Sequence, residues 1–221
     1  MKDLIIVGVS SFAKLLYTYL CECDKRDVVA FTVNKKYITQ GETEFCGKPL
    51  VPLEKIQEIY SPELFDIMMG IGHSKMNQVR QRLFVECKRK GYFIASFIHP
   101  SVYISKNAKL GEGNIILEMS SIAPFVKIGN GNLLWDHVQL AHEDVLGNYN
   151  TISGGCGISG ASEVGNNCYL GKHSMVFDHV KISDFTLLGA GAYIKHDSQP
   201  YDVIVPAQSI TLKGKQSIEF L

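Results

Sequence analysis

A six-residue repeat of aliphatic side chains runs through the second half of this 221-residue sequence. A helix of 3.6 residues per turn does not produce a period of six, and neither does a long strand of period two. The period is typical of a triangular solenoid, in which each side is a short strand with one aliphatic residue pointing inward. Three such sides make one coil of eighteen residues. Sixteen consecutive repeat positions are Ile, Leu or Val: Ile104, Leu110, Ile116, Ile122, Ile128, Leu134, Leu140, Leu146, Ile152, Ile158, Val164, Leu170, Val176, Ile182, Leu188 and Ile194.

The residues beside each repeat position are mostly small or turn-forming. Two residues before it stand Ala108, Asn114, Ser120, Asn132, Asn150, Cys156, Ser162, Cys168, Ser174, Thr186 and Ala192. Directly after it stand Gly111, Gly129, Gly147, Gly165, Gly171 and Gly189. We predict that the small residues pack inside the solenoid, and that a tight corner bearing Gly or Asn follows each side. Cys156 and Cys168 occupy two of these positions, and we predict that they are reduced thiols that pack in the interior.

The first half of the chain predicts alternating strands and helices. We predict strands over 2–9, 28–33, 65–71 and 92–98, and helices over 12–23, after Pro52 and over 74–90. Ser10 and Ser11 are suited to cap the first helix. This alternation is typical of a small doubly wound α/β unit. We therefore divide the chain into an α/β leader (residues 1–98), a β-helix (residues 99–196) and a C-terminal tail (residues 197–221).

Charge and hydropathy exclude several classes of protein. The sequence balances 22 basic with 22 acidic residues and has no basic run, which argues against a general nucleic-acid or membrane-surface binder. No apolar run approaches the twenty residues of a membrane span. The first residues lack the pattern of a signal peptide. We expect a cytoplasmic protein with no nucleic-acid and no membrane partner.

The turn after the first strand is suited to bind a phosphate. Its sequence is Gly8-Val9-Ser10-Ser11-Phe12-Ala13, and a turn of this kind directs the amides at the start of a helix towards an anion. The fingerprint GxGxxG is incomplete, because only its first glycine is present. A plain packing role for the turn is the alternative.

His142 and Glu143 are the candidate catalytic pair. His142 follows an inward leucine by two residues, which predicts an outward position at a corner. One coil later the residue is Gly160, and its missing side chain leaves a slot beside the imidazole that suits a pantetheine arm. Histidine is the side chain best suited to remove a proton near neutrality, and an adjacent carboxylate can orient its ring. An exposed surface histidine without function is the alternative.

An α/β leader followed by hexapeptide repeats resembles the sialic-acid-acetyltransferase-like family, which N-acylates nucleotide-linked amino sugars. The matching positions are Gly8, Ser10, the end of the second strand at Asn34, Gly70 to His73 at the end of the third strand, and His142-Glu143. The family's further loop glycines are Ser11 and Ala13 here, its loop histidine is Phe12, and its acidic pair is Asn34-Lys35.

The resemblance implies a Rossmann-like leader, a left-handed parallel β-helix and a homotrimer. It implies transfer of an acetyl group from acetyl-CoA to a UDP- or dTDP-linked amino sugar, in cell-surface glycan biosynthesis, with His142 as general base and Glu143 orienting it. We predict that the substrate is bound by Gly8, Ser10, Ser11, Asn34, Lys35, Gly72 and His73. We predict that acetyl-CoA is bound by Gly160 and Gly171.

Two other functions stay open. One is an O-acetyltransferase that acts on a sugar or small metabolite, with a leader that only packs. The other is a metal-binding solenoid like the hexapeptide carbonic anhydrases, because His137 and His142 have the five-residue separation of two zinc ligands. The third ligand of that family falls on Ser101, and His173 lies two coils from His137, too far to share a zinc ion. We therefore expect no metal.

Overall fold

Eighteen two-residue strands form a β-helix with three faces in the computed structural model, which describes residues 2–209, 211–216 and 218. The first face contains Tyr103–Ile104, Ser121–Ile122, Gln139–Leu140, Gly157–Ile158, Met175–Val176 and Tyr193–Ile194. The second contains Lys109–Leu110, Lys127–Ile128, Val145–Leu146, Glu163–Val164 and Lys181–Ile182. The third contains Phe97–Ile98, Ile115–Ile116, Leu133–Leu134, Thr151–Ile152, Tyr169–Leu170, Leu187–Leu188 and Val203–Ile204.

The repeated aliphatic residues fill the interior of this β-helix. All sixteen belong to one core cluster, in which Ile116 and the thirteen that follow are buried and Ile104 and Leu110 are partly buried. Each strand from Phe97–Ile98 to Met175–Val176 pairs in parallel with the strand eighteen residues further on, as Ile122 does with Leu140, and Leu187–Leu188 pairs with Val203–Ile204 sixteen residues on. The predicted inward orientation of the repeat is therefore confirmed.

The corners are built differently from the prediction. The left-handed backbone conformation lies three residues before each repeat position from Ile116 to Ile194, at Gly113, Met119, Phe125, Gly131, His137, Glu143, Tyr149, Gly155, Ala161, Asn167, His173, His179, Phe185 and Gly191. Only five of these fourteen residues are Gly or Asn. Some of the other corners have the predicted Gly or Asn at a different position, as at Gly147 and Asn148, and others, such as 123–126, have neither. The glycines that follow the repeat positions serve another purpose. A Cβ atom on Gly147 would lie 2.3 Å from the Gly165 carbonyl oxygen of the next coil.

We expect Gly147→Ala to lower the free energy of unfolding by about 1–3 kcal/mol, the usual cost of overpacking. The added methyl group meets backbone, which cannot move without breaking the pairing between coils. Gly72→Ala is the matched control, because a Cβ atom there has no neighbour within 4 Å. Urea denaturation of both variants measures the difference. Equal midpoints would show that the coils are not in tight contact at Gly147.

The leader is a five-stranded sheet with helices. Its elements are β1 (Asp3–Val7), α1 (Ser11–Cys23), β2 (Val28–Val33), a 3-10 turn (Lys35–Tyr37), β3 (Glu44–Phe45), β4 (Lys48–Pro52), a 3-10 turn (Leu53–Lys55), α2 (Ile56–Ile59), β5 (Phe65–Met69) and α3 (Gln78–Arg89). The strand order is β3-β4-β2-β1-β5, and every pair except β3–β4 is parallel. None of the helices among the described residues is long and apolar enough to cross a membrane.

Two of the predicted leader elements differ from the structure. The predicted strand over 92–98 is not continuous, because Ile94 makes only a single bridge to Ile67 and Phe97–Ile98 joins the third face of the β-helix. The third helix begins at Gln78 and not at 74, because the three residues before it have positive φ. The predicted domain division stays a prediction. The third face of the β-helix also includes Val203–Ile204, which the division assigns to the C-terminal tail.

Candidate active site

His142 and Glu143 lie at a corner between the first and second faces of the β-helix. Glu143 has a φ of 65°, so the backbone turns there and the two side chains do not point to opposite sides as they would in a strand. The imidazole Nδ1 lies 3.5 Å from the Glu143 carboxylate Oε2. Both side chains are about two-thirds exposed, at 67% and 61%. A substrate can therefore reach the His142 ring, and the Glu143 carboxylate can influence the orientation of that ring.

Gly160 lies against the His142 ring, one coil further on. A Cβ atom on Gly160 would be 2.8 Å from both Cε1 and Nε2 of the imidazole. The open space beside them is a cleft of about 430 Å³. Its lining includes Ser159, Met175 and Asp178 together with His142 and Gly160. Asp178 stands one coil beyond Gly160 at the same corner, and the repeat pattern alone did not single it out.

The backbone of this corner is ordered by hydrogen bonds between coils. The Ala161 amide donates to the His142 carbonyl at 2.9 Å, and the His179 amide donates to the Gly160 carbonyl at 3.1 Å. The Ser159 amide donates to Val176. Among the described residues, the Gly160 amide donates to no backbone carbonyl. It is therefore an N–H group beside the imidazole that is available to a carbonyl oxygen.

The predicted leader residues lie at the carboxyl ends of the parallel strands. Gly8 has a φ of 120° and contacts the residues after β5, since a Cβ atom on it would be 2.6 Å from the Gly70 carbonyl oxygen. The Ser10 hydroxyl caps α1 by accepting from the Ala13 amide at 3.3 Å. The sheet order changes direction between β1 and β5, and such switch points are where open α/β sheets bind ligands. Gly8, Ser10 and Gly72 all stand at this point.

The remaining predicted leader residues are more spread out. Asn34 and Lys35 follow β2, where the Lys35 amide donates to the Glu54 carboxylate at 3.0 Å. Ser11, the first residue of α1, and His73, in the loop after β5, are both exposed. The His73 ring lies 5.1 Å from the ring of Tyr169, which belongs to the β-helix. His73 therefore stands where the leader meets the coils.

The leader packs directly against the coil that precedes the His142 corner. The Phe12 ring lies 5.7 Å from the Trp135 ring, so Trp135 is a packing residue between leader and β-helix. The Tyr19 hydroxyl donates to the Glu118 carboxylate at 2.6 Å. Burial, with help from Glu118, raises the pKa of Tyr19 to about 12, so this donor keeps its proton.

A buried arginine joins the other side of the leader to the β-helix. Arg80 on α3 is 1% exposed. Its Nε donates to the Gly131 carbonyl at 2.8 Å, its Nη2 to the Asn150 carbonyl at 2.8 Å, and its Nη1 to the Gly72 carbonyl at 2.8 Å. The guanidinium thus fixes the loop after β5 relative to two coils. The sequence pattern did not reveal this contact.

Other predicted residues are not brought to the cleft. Gly171 is packed against the next coil, where a Cβ atom would be 2.5 Å from the Ala190 amide nitrogen. The His173 ring lies against Gly155, which separates it from His137 in the stack of coils. Within residues 2–209, 211–216 and 218, no group of three or more His, Cys, Asp or Glu side chains is arranged to hold a metal ion.

Comparison with solved structures identifies the architecture. The acetyltransferase domain of PglB from Neisseria gonorrhoeae has a TM-score of 0.81 at 19% identity, with 93% of this chain and 97% of that chain covered. PerB from Caulobacter crescentus, solved in complex with CoA and GDP-perosamine, has a TM-score of 0.81 at 21% identity, with 93% and 95% covered. This protein has their fold. WeeI from Acinetobacter baumannii matches at a TM-score of 0.72 and 18% identity, with 93% and 97% covered. No protein-family model matches the sequence.

Proposed function

We propose that this protein transfers an acetyl group from acetyl-CoA to the amino group of a nucleotide-linked amino-deoxy sugar. The observation that carries the proposal is the cleft in which the His142 imidazole faces the side-chain-free Gly160. The shared fold supports it, because similar structures include a GDP-perosamine N-acetyltransferase in complex with CoA and GDP-perosamine, and a histidine-to-alanine mutant of that enzyme.

His142 acts as general base in direct transfer. It takes a proton from the amine as the nitrogen attacks the thioester carbonyl carbon, so that a C–N bond forms. The carbonyl oxygen becomes an oxyanion that accepts a hydrogen bond from the Gly160 amide. The C–S bond then breaks and the proton passes to the departing CoA thiolate. No covalent acyl-enzyme is required, because an amine is already a competent nucleophile.

The leader binds the nucleotide and thereby positions the sugar. We propose that it is a Rossmann-like domain, with Gly8, Ser10 and Gly72 around the phosphates and Asn34 and Lys35 nearer the base. Rigid packing of the leader on the coils supports this role, since positioning a substrate supplies much of an enzyme's rate. UDP or dTDP is the proposed nucleotide. Ser11 and His73 complete the proposed substrate site, and Gly171 stays a proposed contact to acetyl-CoA.

We further propose that the β-helix is left-handed and that three copies form a homotrimer in the cytoplasm. The hexapeptide pattern and the similar structures support the handedness. The exposed outer surface of the first face, with Tyr103, Met175 and Tyr193, is suited to contact other copies. Light scattering measures the assembly, and a monomer at micromolar concentration would contradict it.

The decisive experiment is a thiol-release assay with acetyl-CoA and matched sugars. The acceptors are UDP-, dTDP- and GDP-linked 4-amino sugars, each paired with the same sugar bearing a hydroxyl group. We expect thiol release with an amino sugar and little release with its hydroxyl partner. Release with the hydroxyl sugars instead supports the O-acetyltransferase. If no acceptor of either kind gives release, and no nucleotide sugar or acetyl-CoA raises the melting temperature, the proposed function is wrong.

A further inference from the structure

A buried carboxyl group, Asp144, lies one residue after the candidate catalytic pair. Asp144 is 1% exposed. It stands two residues before the inward Leu146, at the position where other coils place Asn, Ser, Thr, Cys, Ala or Val. The proposed mechanism does not use it. One of its oxygens, Oδ2, is buried without a hydrogen-bond partner.

Five of the seven Asn, Ser and Thr side chains at this position follow a regular hydrogen-bond rule, and Ser174 and Thr186 do not. Asn114, Asn132 and Asn150 each accept from the amide eighteen residues later and donate to the carbonyl fifteen residues later. Ser120 follows the same rule: its hydroxyl accepts from the Val138 amide and donates to the Trp135 carbonyl. Each such side chain therefore has one accepting arm and one donating arm that join it to the next coil.

Asp144 has the accepting arm but lacks a donor. Its Oδ1 accepts from the Ser162 amide at 3.0 Å, eighteen residues later. The rule assigns its second arm to the carbonyl fifteen residues later, which is that of Ser159. An ionised carboxylate has no proton to donate there and would place its negative charge beside a carbonyl oxygen. A protonated carboxyl satisfies both arms, as the asparagine amides do.

We propose that Asp144 is a positioning residue held as a neutral carboxylic acid, which donates from Oδ2 to the Ser159 carbonyl and so fixes the Ser159–Gly160 corner against the His142 ring. The proposal rests on the proposed function for its catalytic consequence, since the corner it fixes carries the Gly160 amide. Its protonation state can be tested independently of any activity.

The surroundings of Asp144 favour the neutral acid. Burial raises the pKa of the carboxyl from 3.8 to about 7, against the lowering effect of the Ser162 and Ala141 amides. The charged side chains on the adjoining strands, Lys127 before it and Glu163 after it, are exposed. Asp178 adds repulsion that raises the pKa further. His142 and Glu143 at the same corner point to solvent.

The first test is the pH dependence of stability in the full chain, with Asp144→Asn as the matched variant. Asparagine keeps both arms but cannot ionise. Because the folded pKa lies above the unfolded value, the contribution of Asp144 to stability is fully present below pH 4 and is lost as pH rises towards 7. Relative to Asp144→Asn, we expect its folding equilibrium constant to fall by roughly 50-fold between pH 5 and pH 7. Parallel curves for the two proteins would overturn the neutral acid.

The second test separates positioning from general structure. Asp144→Val removes both arms but is expected to fold, because Val126 and Val180 fill the same slot in other coils. In the acetyl-transfer assay we expect the valine variant to lose at least tenfold in kcat, and Asp144→Asn to restore it. Wild-type turnover should also fall above pH 7, where the asparagine variant stays constant. Equal turnover of the valine and asparagine variants, or the same alkaline fall in both, would overturn the positioning role.

Discussion

Replacement of His142 by alanine is expected to lower kcat by about 10²–10⁴-fold, the usual range for loss of a general base. The Michaelis constant for the nucleotide sugar should change much less, because the proposed function assigns most of the binding to the leader. Steady-state thiol release at saturating acetyl-CoA gives both quantities. The effect is large because the His142 ring is exposed in the cleft and meets the space left by Gly160.

Two control variants make this result specific. Glu143→Gln should cost less than His142→Ala, because the carboxylate lies 3.5 Å from the ring and only orients it. His137→Ala should have a mild effect, because its Nδ1 contacts Asp136 at 3.2 Å outside the cleft. A loss at His137 as great as at His142 would instead favour a shared metal. Near-full turnover of His142→Ala would overturn the assignment and direct attention to Asp178, which lines the same cleft, and then to Asp136 and His173.

Arg80→Met is expected to lower the free energy of unfolding by at least about 3 kcal/mol. The guanidinium makes three hydrogen bonds of 2.8 Å to carbonyl oxygens, and hydrogen bonds to a charged group contribute roughly 1.5–3 kcal/mol each. Burial lowers the pKa of Arg80 to about 9, so the group is still charged at neutral pH. Methionine fills similar space but leaves the Gly131 and Gly72 carbonyl groups without this donor, and leaves the Asn150 carbonyl with only the Leu133 amide. Urea denaturation measures the loss.

Arg82→Met is the matched control on the same helix, because Arg82 is exposed and should change stability by less than about 0.5 kcal/mol. The two variants should also differ in binding. Arg80 fixes the Gly72 carbonyl, so its loss should weaken nucleotide-sugar affinity even under conditions where the protein is folded. If Arg80→Met unfolds at the same urea concentration as Arg82→Met, the arginine does not join the leader to the β-helix.

The sequence predicts the parts of this structure that repeat. Every aliphatic residue from Ile104 to Ile194 at the period of six packs in the core, because each coil presents the same chemical environment to the same position. The strand over 28–33 and the cap at Ser10 also follow from local pattern and local hydrogen bonding. These features depend on residues that are near in sequence or related by a constant period.

The features that sequence reasoning missed depend on single contacts between distant residues. Arg80 is separated from its carbonyl partners in the β-helix by 51 to 70 residues, and those partners are backbone atoms that leave no mark on the side-chain pattern. The strand expected over 92–98 was wrong because Ile94 and Phe97 belong to different neighbours, one in the leader sheet and one in the β-helix. Sequence reasoning overlooked Asp144 because it considered the residue types that recur at the inward position, and an aspartate occurs there only once.

The eighteen-residue offset between paired strands, constant from Phe97–Ile98 to Tyr193–Ile194, also determines how the β-helix assembles. Each new rung closes a loop of the same short length, so the entropic cost does not grow as the array lengthens, in contrast to most parallel sheets. Formation therefore propagates from rung to rung, as in other linear repeat arrays. The leader contacts described above end at Tyr169. Among the described residues, none of these leader contacts involves a rung beyond Tyr169. Within one chain those later rungs are held by their neighbours, so we expect their amides to exchange with deuterium first, beginning at Val203–Ile204.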